Sequence, residues 1–301
     1  MPRRYRFGSA NLEPPDRLVL AEATNLLQEL PAGSTNLFYV DPPFATGVER
    51  RSSSGFSFDD RTPGGLHAYI EWLKPCLAAM HRATADDGSV FVHLDWRASH
   101  HVRVEMDRLF GTGRLVNEIA WCYSVGGKSR RAFGRKHDTI LWFAKGPDYR
   151  FFPDAVRIAR KPGSHMKKEL DESGRPVQVK RDARTGKEYR YPVHVGKVPE
   201  DYWTDIETLN RKDRERTGWP TQKPEALLTR IILAASAPGD LVSDLFCGSG
   251  TTAAVAQRLG RRFVAGDVSR DALRIAEVRL RRQGEELARQ GYKVPDLEVI
   301  D

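Results

Sequence analysis

Residues 241–265 restrict the fold of this chain more than any other stretch, because they read as strand, glycine turn, helix and strand. Residues 241–246 are a short apolar run bounded by a turn, the pattern of a buried strand. Cys247-Gly248-Ser249-Gly250-Thr251-Thr252 turns the chain. Residues 253–259 continue as a helix ended by Gly260, and residues 262–265 form the next strand, with Asp267 at its end. Two glycines let the backbone come close to a ligand, and the start of the helix offers free N–H groups to a negative group. An acid about 20 residues beyond the first glycine is placed to bind ribose hydroxyls. Gly248-x-Gly250-x-x-Ala253 fits the dinucleotide fingerprint, so these residues alone do not separate NAD from other adenosine cofactors. A tight turn without a ligand is the plain alternative.

The same alternation runs through the rest of the chain. Residues 17–20, 36–40, 89–94, 118–123 and 139–143 read as strands. Residues 25–30, 66–82, 99–110, 225–235 and 271–289 read as helices, with Gly111 closing one and Pro224 at the start of another. Strands alternating with helices indicate an α/β chain with a doubly wound, mostly parallel sheet, whose ligands bind at the carboxyl ends of the strands.

Asp41-Pro42-Pro43-Phe44 stands at such an end, directly after the strand at 36–40. Two prolines fix φ and remove two backbone donors, leaving rigid carbonyl acceptors. A carboxylate, a free carbonyl and an aromatic face are thus held together. That set suits a flat base with an exocyclic amine: the acceptors take the N–H groups and the ring stacks. The bland reading is a strand-ending turn. The polar stretch at 45–65 is long for a structureless loop and suggests a lid.

The net charge of +8 favours a polyanionic partner, although 40 acidic residues accompany the 48 basic ones. Residues 126–137 carry Lys128, Arg130, Arg131, Arg135 and Lys136 with no acid, which suits phosphate contacts as well as a solvated loop. Residues 149–218 are irregular and highly charged and read as an inserted lobe. Three cysteines without paired spacing argue for a reducing compartment. Residues 1–15 form a basic arm with no signal-peptide core, and no apolar run reaches membrane-spanning length. His93, His100 and His101 lack metal-ligand spacing. Cys76 follows Pro75, as in cytosine-C5 chemistry, but lies within the apolar helical pattern of Trp72, Leu73, Leu77 and Met80.

Taken in order, Asp41-Pro42-Pro43-Phe44, the irregular 149–218 segment, Thr221-Gln222-Lys223-Pro224-Glu225 and Asp244-Leu245-Phe246-Cys247-Gly248-Ser249-Gly250-Thr251-Thr252 resemble the permuted β group of S-adenosylmethionine-dependent DNA amino-methyltransferases. The resemblance covers roughly residues 17–282. Phe44 stands where the family more often has Tyr, and Trp219-Pro220 where His-Pro is common.

The resemblance implies a Rossmann-like methyltransferase fold with a seven-stranded sheet. It implies a catalytic half at 1–148, a target-recognition region at 149–218 and a cofactor half at 219–301. Asp41, Pro42, Pro43 and Phe44 would be catalytic. Glu22, Lys223, Asp244, Phe246, Gly248, Ser249, Gly250, Thr251 and Asp267 would bind S-adenosyl-L-methionine. Lys128, Arg130, Arg131, Arg135 and Lys136 would touch DNA, and no metal is needed. The expected substrate is the N6 amino group of a flipped adenine in double-stranded DNA, with cytosine N4 as the alternative. The resemblance also allows a homodimer and a cognate restriction endonuclease, and it implies a cytoplasmic protein of bacterial, archaeal or phage type. More distant readings are an NAD-dependent oxidoreductase and a non-catalytic DNA-binding relative.

Overall fold

Residues 35–40 are buried along nearly their whole length, and successive side chains on a strand face opposite ways. Such a strand needs cover on both faces, and the computed structural model supplies it. It describes residues 2–7, 14–44, 49–51, 57–59, 64–124, 130–160 and 166–301. In chain order the elements are β1 (Arg3–Tyr5), β2 (Asp16–Leu20), α1 (Ala23–Glu29), β3 (Thr35–Val40), β4 (Glu49–Arg51), β5 (Ser57–Asp59), α2 (Gly65–Ala83), β6 (Thr84–Leu94), α3 (Ser99–Phe110), β7 (Leu115–Cys122) and β8 (His137–Ala144). Then come β9 (Lys167–Leu170), β10 (Pro176–Arg181), β11 (Glu188–Pro192), β12 (Tyr202–Trp203), α4 (Glu225–Ala235), β13 (Leu241–Asp244), α5 (Thr251–Arg258), β14 (Arg262–Asp267), α6 (Arg270–Arg289) and β15 (Leu297–Ile300).

The main sheet runs β1-β15-β2-β14-β13-β3-β6-β8-β7-β12. Neighbours from β15 through to β6 are parallel, and β8 enters antiparallel to β6 and β7. Leu37 and Tyr39 of β3 belong to an apolar cluster with Leu228, Ile231, Val255 and Ala276 from α4, α5 and α6. Phe38 and Val40 belong to a second cluster with Leu26, Leu73 and Val102 from α1, α2 and α3. Three helices therefore cover each face, which is the doubly wound arrangement expected. The chain leaves β3 toward β6 in one direction and β13 toward β14 in the other. The order reverses between β3 and β13, the place where open α/β sheets bind ligands.

The sheet has ten described strands instead of the seven expected. The expected set, β2, β14, β13, β3, β6, β8 and β7, is extended at both edges. β1 pairs with β15 antiparallel, turning part of the expected N-terminal arm into sheet, and β12 adds two residues beside β7. These edge strands are two to four residues long, too short for an alternating pattern to announce them. β6 begins at Thr84, directly after α2 and five residues before the strand expected at 89–94. β4 and β5 pair within the 45–65 stretch. The rest of that stretch up to 63 lies outside the described residues, and so does the lid expected there.

Backbone contacts divide the chain into two units, residues 1–151 with 201–301, and residues 152–200. Residues 149–151 and 201–218 of the irregular segment thus belong to the larger unit. In the smaller unit, β10 pairs with β9 and β11 on its two sides, all antiparallel, and a bridge joins Ile158 to Lys197. No described helix is long and apolar enough to cross a membrane.

Candidate active site

β3 and β13 lie side by side with Leu37 opposite Val242 and Phe38 opposite Ser243. The segments that leave their carboxyl ends are therefore adjacent although about 200 residues separate them along the chain. A cavity of about 530 Å³ opens there. Its wall includes Asp41, Pro42, Pro43 and Phe44 after β3, and Asp244, Phe246, Gly248, Ser249 and Thr251 around the glycine turn. Glu22, Lys223, Asp267 and Arg135 complete the expected residues on it. Gly250 is not among the lining residues. Arg130, Arg131 and Lys136 are not on it, and Lys128 lies outside the described residues.

The glycine turn is braced from within. Gly248 and Gly250 have φ of +50° and +74°, the region open to glycine without steric cost. A Cβ on Gly248 would lie 3.0 Å from Trp219 Nε1, and one on Gly250 2.7 Å from the Cβ of Ala276. Asp244 accepts hydrogen bonds from Phe246 N at 3.1 Å and from the Thr252 hydroxyl at 2.5 Å. Burial pushes its carboxyl up to about 7, outweighing those two bonds, and the nearby Asp41 and Asp267 add to the rise. Asp267 accepts from Gly248 N at 2.9 Å and Ser269 N at 2.8 Å, and burial raises its pKa as well. Each Asp267 oxygen keeps further acceptor capacity for a ribose hydroxyl. Phe246 packs against Trp72 with ring centroids 5.8 Å apart. A cradle too tight for a Cβ, an acid at the next strand end and an aromatic pair fit an adenosine cofactor.

The corner after β3 is built differently. One oxygen of Asp41, Oδ2, accepts from the Lys223 ammonium; the other, Oδ1, is buried and has no hydrogen-bond partner among the described residues. Lys223 was expected at the cofactor. It joins the two motifs 182 residues apart in sequence, with its ammonium 5.3 Å from the centre of the Phe44 ring. Gln222, its neighbour, accepts from the backbone and hydroxyl of Thr217 at 2.7 and 2.8 Å and donates to Glu215 O at 2.7 Å, which holds the stretch in place.

Sequence reasoning missed the polar chain behind this corner. His93, fully buried, bonds Tyr39 Oη through Nδ1 at 2.8 Å and Asp138 Oδ2 through Nε2 at 3.2 Å. Tyr123 donates to the other Asp138 oxygen at 3.1 Å. Burial pushes the Asp138 carboxyl up, but the bonds from His93 and Tyr123 and the charge of Lys223 outweigh it and hold it below the usual range. A carboxylate only accepts, so His93 Nε2 carries a proton toward Asp138. The ring of Phe44 lies 5.9 Å from His93, and Trp121 meets His93 edge-on at 5.5 Å. The available signal was a histidine within the apolar run 90–94, near the carboxyl end of β6 and beside the end of β3. Cys76 lies buried in α2, where burial raises its thiol to about 11, a poor state for a nucleophile.

A family model for DNA methylases of the N6/N4 type matches residues 35–278. The chain is 31% identical over 266 residues to the DNA adenine methyltransferase YhdJ of Escherichia coli (strain K12), across 87% of this chain and 82% of that one. TTHA0409 of Thermus thermophilus, assigned as a DNA modification methylase and solved in complex with S-adenosyl-L-methionine, superposes with a TM-score of 0.60 at 20% identity, covering 95% of this chain and 98% of that one. The cytosine-N4-specific PvuII DNA methyltransferase superposes with a TM-score of 0.62 at 15% identity, covering 95% of each chain. Both solved structures share the fold described above.

Proposed function

The chain belongs to the N6/N4 DNA methylase family, and from that premise we propose that it methylates the N6 amino group of an adenine flipped out of duplex DNA, using S-adenosyl-L-methionine. The observation that carries the reading is the unpartnered, buried Oδ1 of Asp41, set beside two prolines and an aromatic ring in the same cavity as the glycine turn. A buried acceptor without a donor costs free energy until a ligand supplies one. An exocyclic amine is such a donor.

S-adenosyl-L-methionine supplies, when bound, an already activated sulfonium methyl, so neither a metal nor a covalent enzyme intermediate is required. Gly248, Ser249 and Thr251 would hold its methionine part beside Phe246, and Asp267 its ribose. The amine of adenine is a weak nucleophile because its lone pair is delocalised into the ring. Asp41 Oδ1 and the Pro42 carbonyl would accept the two N–H groups, bend the nitrogen toward tetrahedral geometry and free the lone pair. Asp41 need not be a strong base, because the proton becomes acidic once the new N–C bond forms. Positioning and fixed acceptors supply most of the effect. Phe44 would stack on the base, which has to leave the helix to reach a corner this deep. The segment at 149–218 would read base edges.

Cytosine N4 is the second reading, because the same corner fits either amine and the fold is shared with the cytosine-N4-specific PvuII enzyme. The similarity to YhdJ favours adenine. The test is methyl transfer from labelled S-adenosyl-L-methionine to unmethylated genomic DNA, followed by digestion to nucleosides and mass identification. N6-methyladenine is the expected product. N4-methylcytosine keeps the chemistry and changes the base, and cofactor binding without any product overturns the enzymatic reading.

A further inference from the structure

The rim of the cavity carries an exposed indole whose position follows from sheet register. β3 and β6 are parallel neighbours with Val40 opposite Val92. His93 therefore follows beside Asp41, about one strand spacing of 4.8 Å away, and the segment after β6 leaves at the same end of the sheet. Trp96 lies just past the end of β6, lines the same cavity and remains 41% exposed.

Two cations hold this ring. β8 runs antiparallel to β6 with Leu94 opposite Thr139, which brings the segment just before β8 across the end of β6. The guanidinium of Arg135, from that segment, lies 4.0 Å from the centre of the Trp96 ring. That of Arg97 lies 5.0 Å from it and is tied to Asp95, whose other oxygen accepts from Arg97 N at 2.9 Å. A large apolar side chain at a cavity mouth is costly to leave in water. The two guanidinium groups against it attract phosphate.

We propose that Trp96 is the wedge that enters the duplex as the target nucleotide leaves it, with Arg97 and Arg135 steadying the ring and meeting the flanking phosphates. The proposal rests on the base-flipping reading above. Extruding a base leaves two neighbours unstacked, and a flat apolar side chain inserted at that step restores their contacts. An indole beside the pocket that receives the base is in position to do this. Trp96 would act on the opened state of the DNA and not on the reacting atoms, so it is a positioning residue. Its removal should matter least where the base is already unpaired, since opening then costs little.

That dependence supplies the test. The recognition sequence is first mapped from DNA methylated by the wild-type protein. Two duplexes carrying it are then compared, one with the target base paired and one with it opposite an abasic site. Wild-type, Trp96→Ala and Trp96→Phe proteins are assayed for single-turnover methylation and for 2-aminopurine fluorescence at the target. Trp96→Ala is expected to slow methylation of the paired duplex by about 30-fold or more and to come within about threefold of wild type on the abasic duplex. Trp96→Phe should fall between the two, and S-adenosyl-L-methionine affinity should not move. Equal losses on both duplexes, or no loss on either, overturn the wedge while the methyltransferase reading stands. Wild-type protein that methylates neither duplex nor genomic DNA overturns both.

Discussion

The ends of β3 and β13 stand side by side, yet they treat their carboxylates in opposite ways. After β13, Asp244 has a donor on each oxygen, and Asp267 after β14 likewise. The glycine turn is thereby held in its binding shape by the protein itself. After β3, Asp41 has one oxygen on Lys223 and the other buried without a partner among the described residues. The first region is finished before its ligand arrives, and the second is completed by its ligand. Preorganisation lowers the cost of binding, whereas an unmet acceptor makes the amine itself the missing part of the site. On the proposed function, the cofactor takes the first corner and the reacting base the second.

Removing Asp41 should break the comparison most sharply. Asp41→Ala is expected to lower methyl transfer by about 10³-fold or more, in line with the loss of a positioned polar group at a reacting atom. S-adenosyl-L-methionine affinity, measured by calorimetry on the same preparation, should stay within about threefold of wild type. Equal loss of both properties would mean that the two corners are one unit, and the division of labour would fail.

The reciprocal change is Gly248→Ala. It puts a Cβ against the Trp219 indole at a left-handed φ of +50°, and strain of this kind costs about 1–3 kcal/mol. Cofactor affinity should therefore fall about ten- to a hundredfold, while single-turnover transfer at saturating cofactor should fall far less than in Asp41→Ala. A variant that binds the cofactor normally but transfers no methyl would reverse the assignment.

The two corners also differed in how far they could be read from sequence. The glycine turn was legible because its constraints are local: positive φ, a strand before, a helix after, an acid at the next strand end. α3 and α4 were legible to the residue, since Gly111 and Pro224 mark one end of each. The partners of the β3 corner were not. His93 meets Asp138 only because β8 runs antiparallel to β6, and Lys223 meets Asp41 only because β13 settles beside β3. Such pairings are set by tertiary packing, which propensity and spacing do not encode. The same holds for β1 and β15: they are only three and four residues long, and each becomes a strand by finding the other or the sheet edge.

The smallest expected effect sharpens what a finished corner means. Burial raises the Asp244 carboxyl to about 7 in the folded chain, against about 3.9 when unfolded. Below about pH 4 both states hold the proton. Between about pH 4 and 7 the unfolded chain has released it and the folded chain still binds it, so stability from this group declines as pH rises through that window. Asp16, raised by burial to about 6, acts in the same direction and remains in any Asp244 variant. Asp244→Asn removes one titration and leaves the other, so its melting temperature should fall less steeply between pH 4 and 7 than that of the wild type. The absolute melting temperature of the variant should also be lower, because an amide oxygen can replace only one of the two acceptors that serve Phe246 N and the Thr252 hydroxyl. Parallel slopes for the two proteins would show that Asp244 is ionised across this range, held charged by the donors of the turn. The internal bracing would then be stronger than burial alone allows, and the contrast with the unpartnered oxygen of Asp41 would widen.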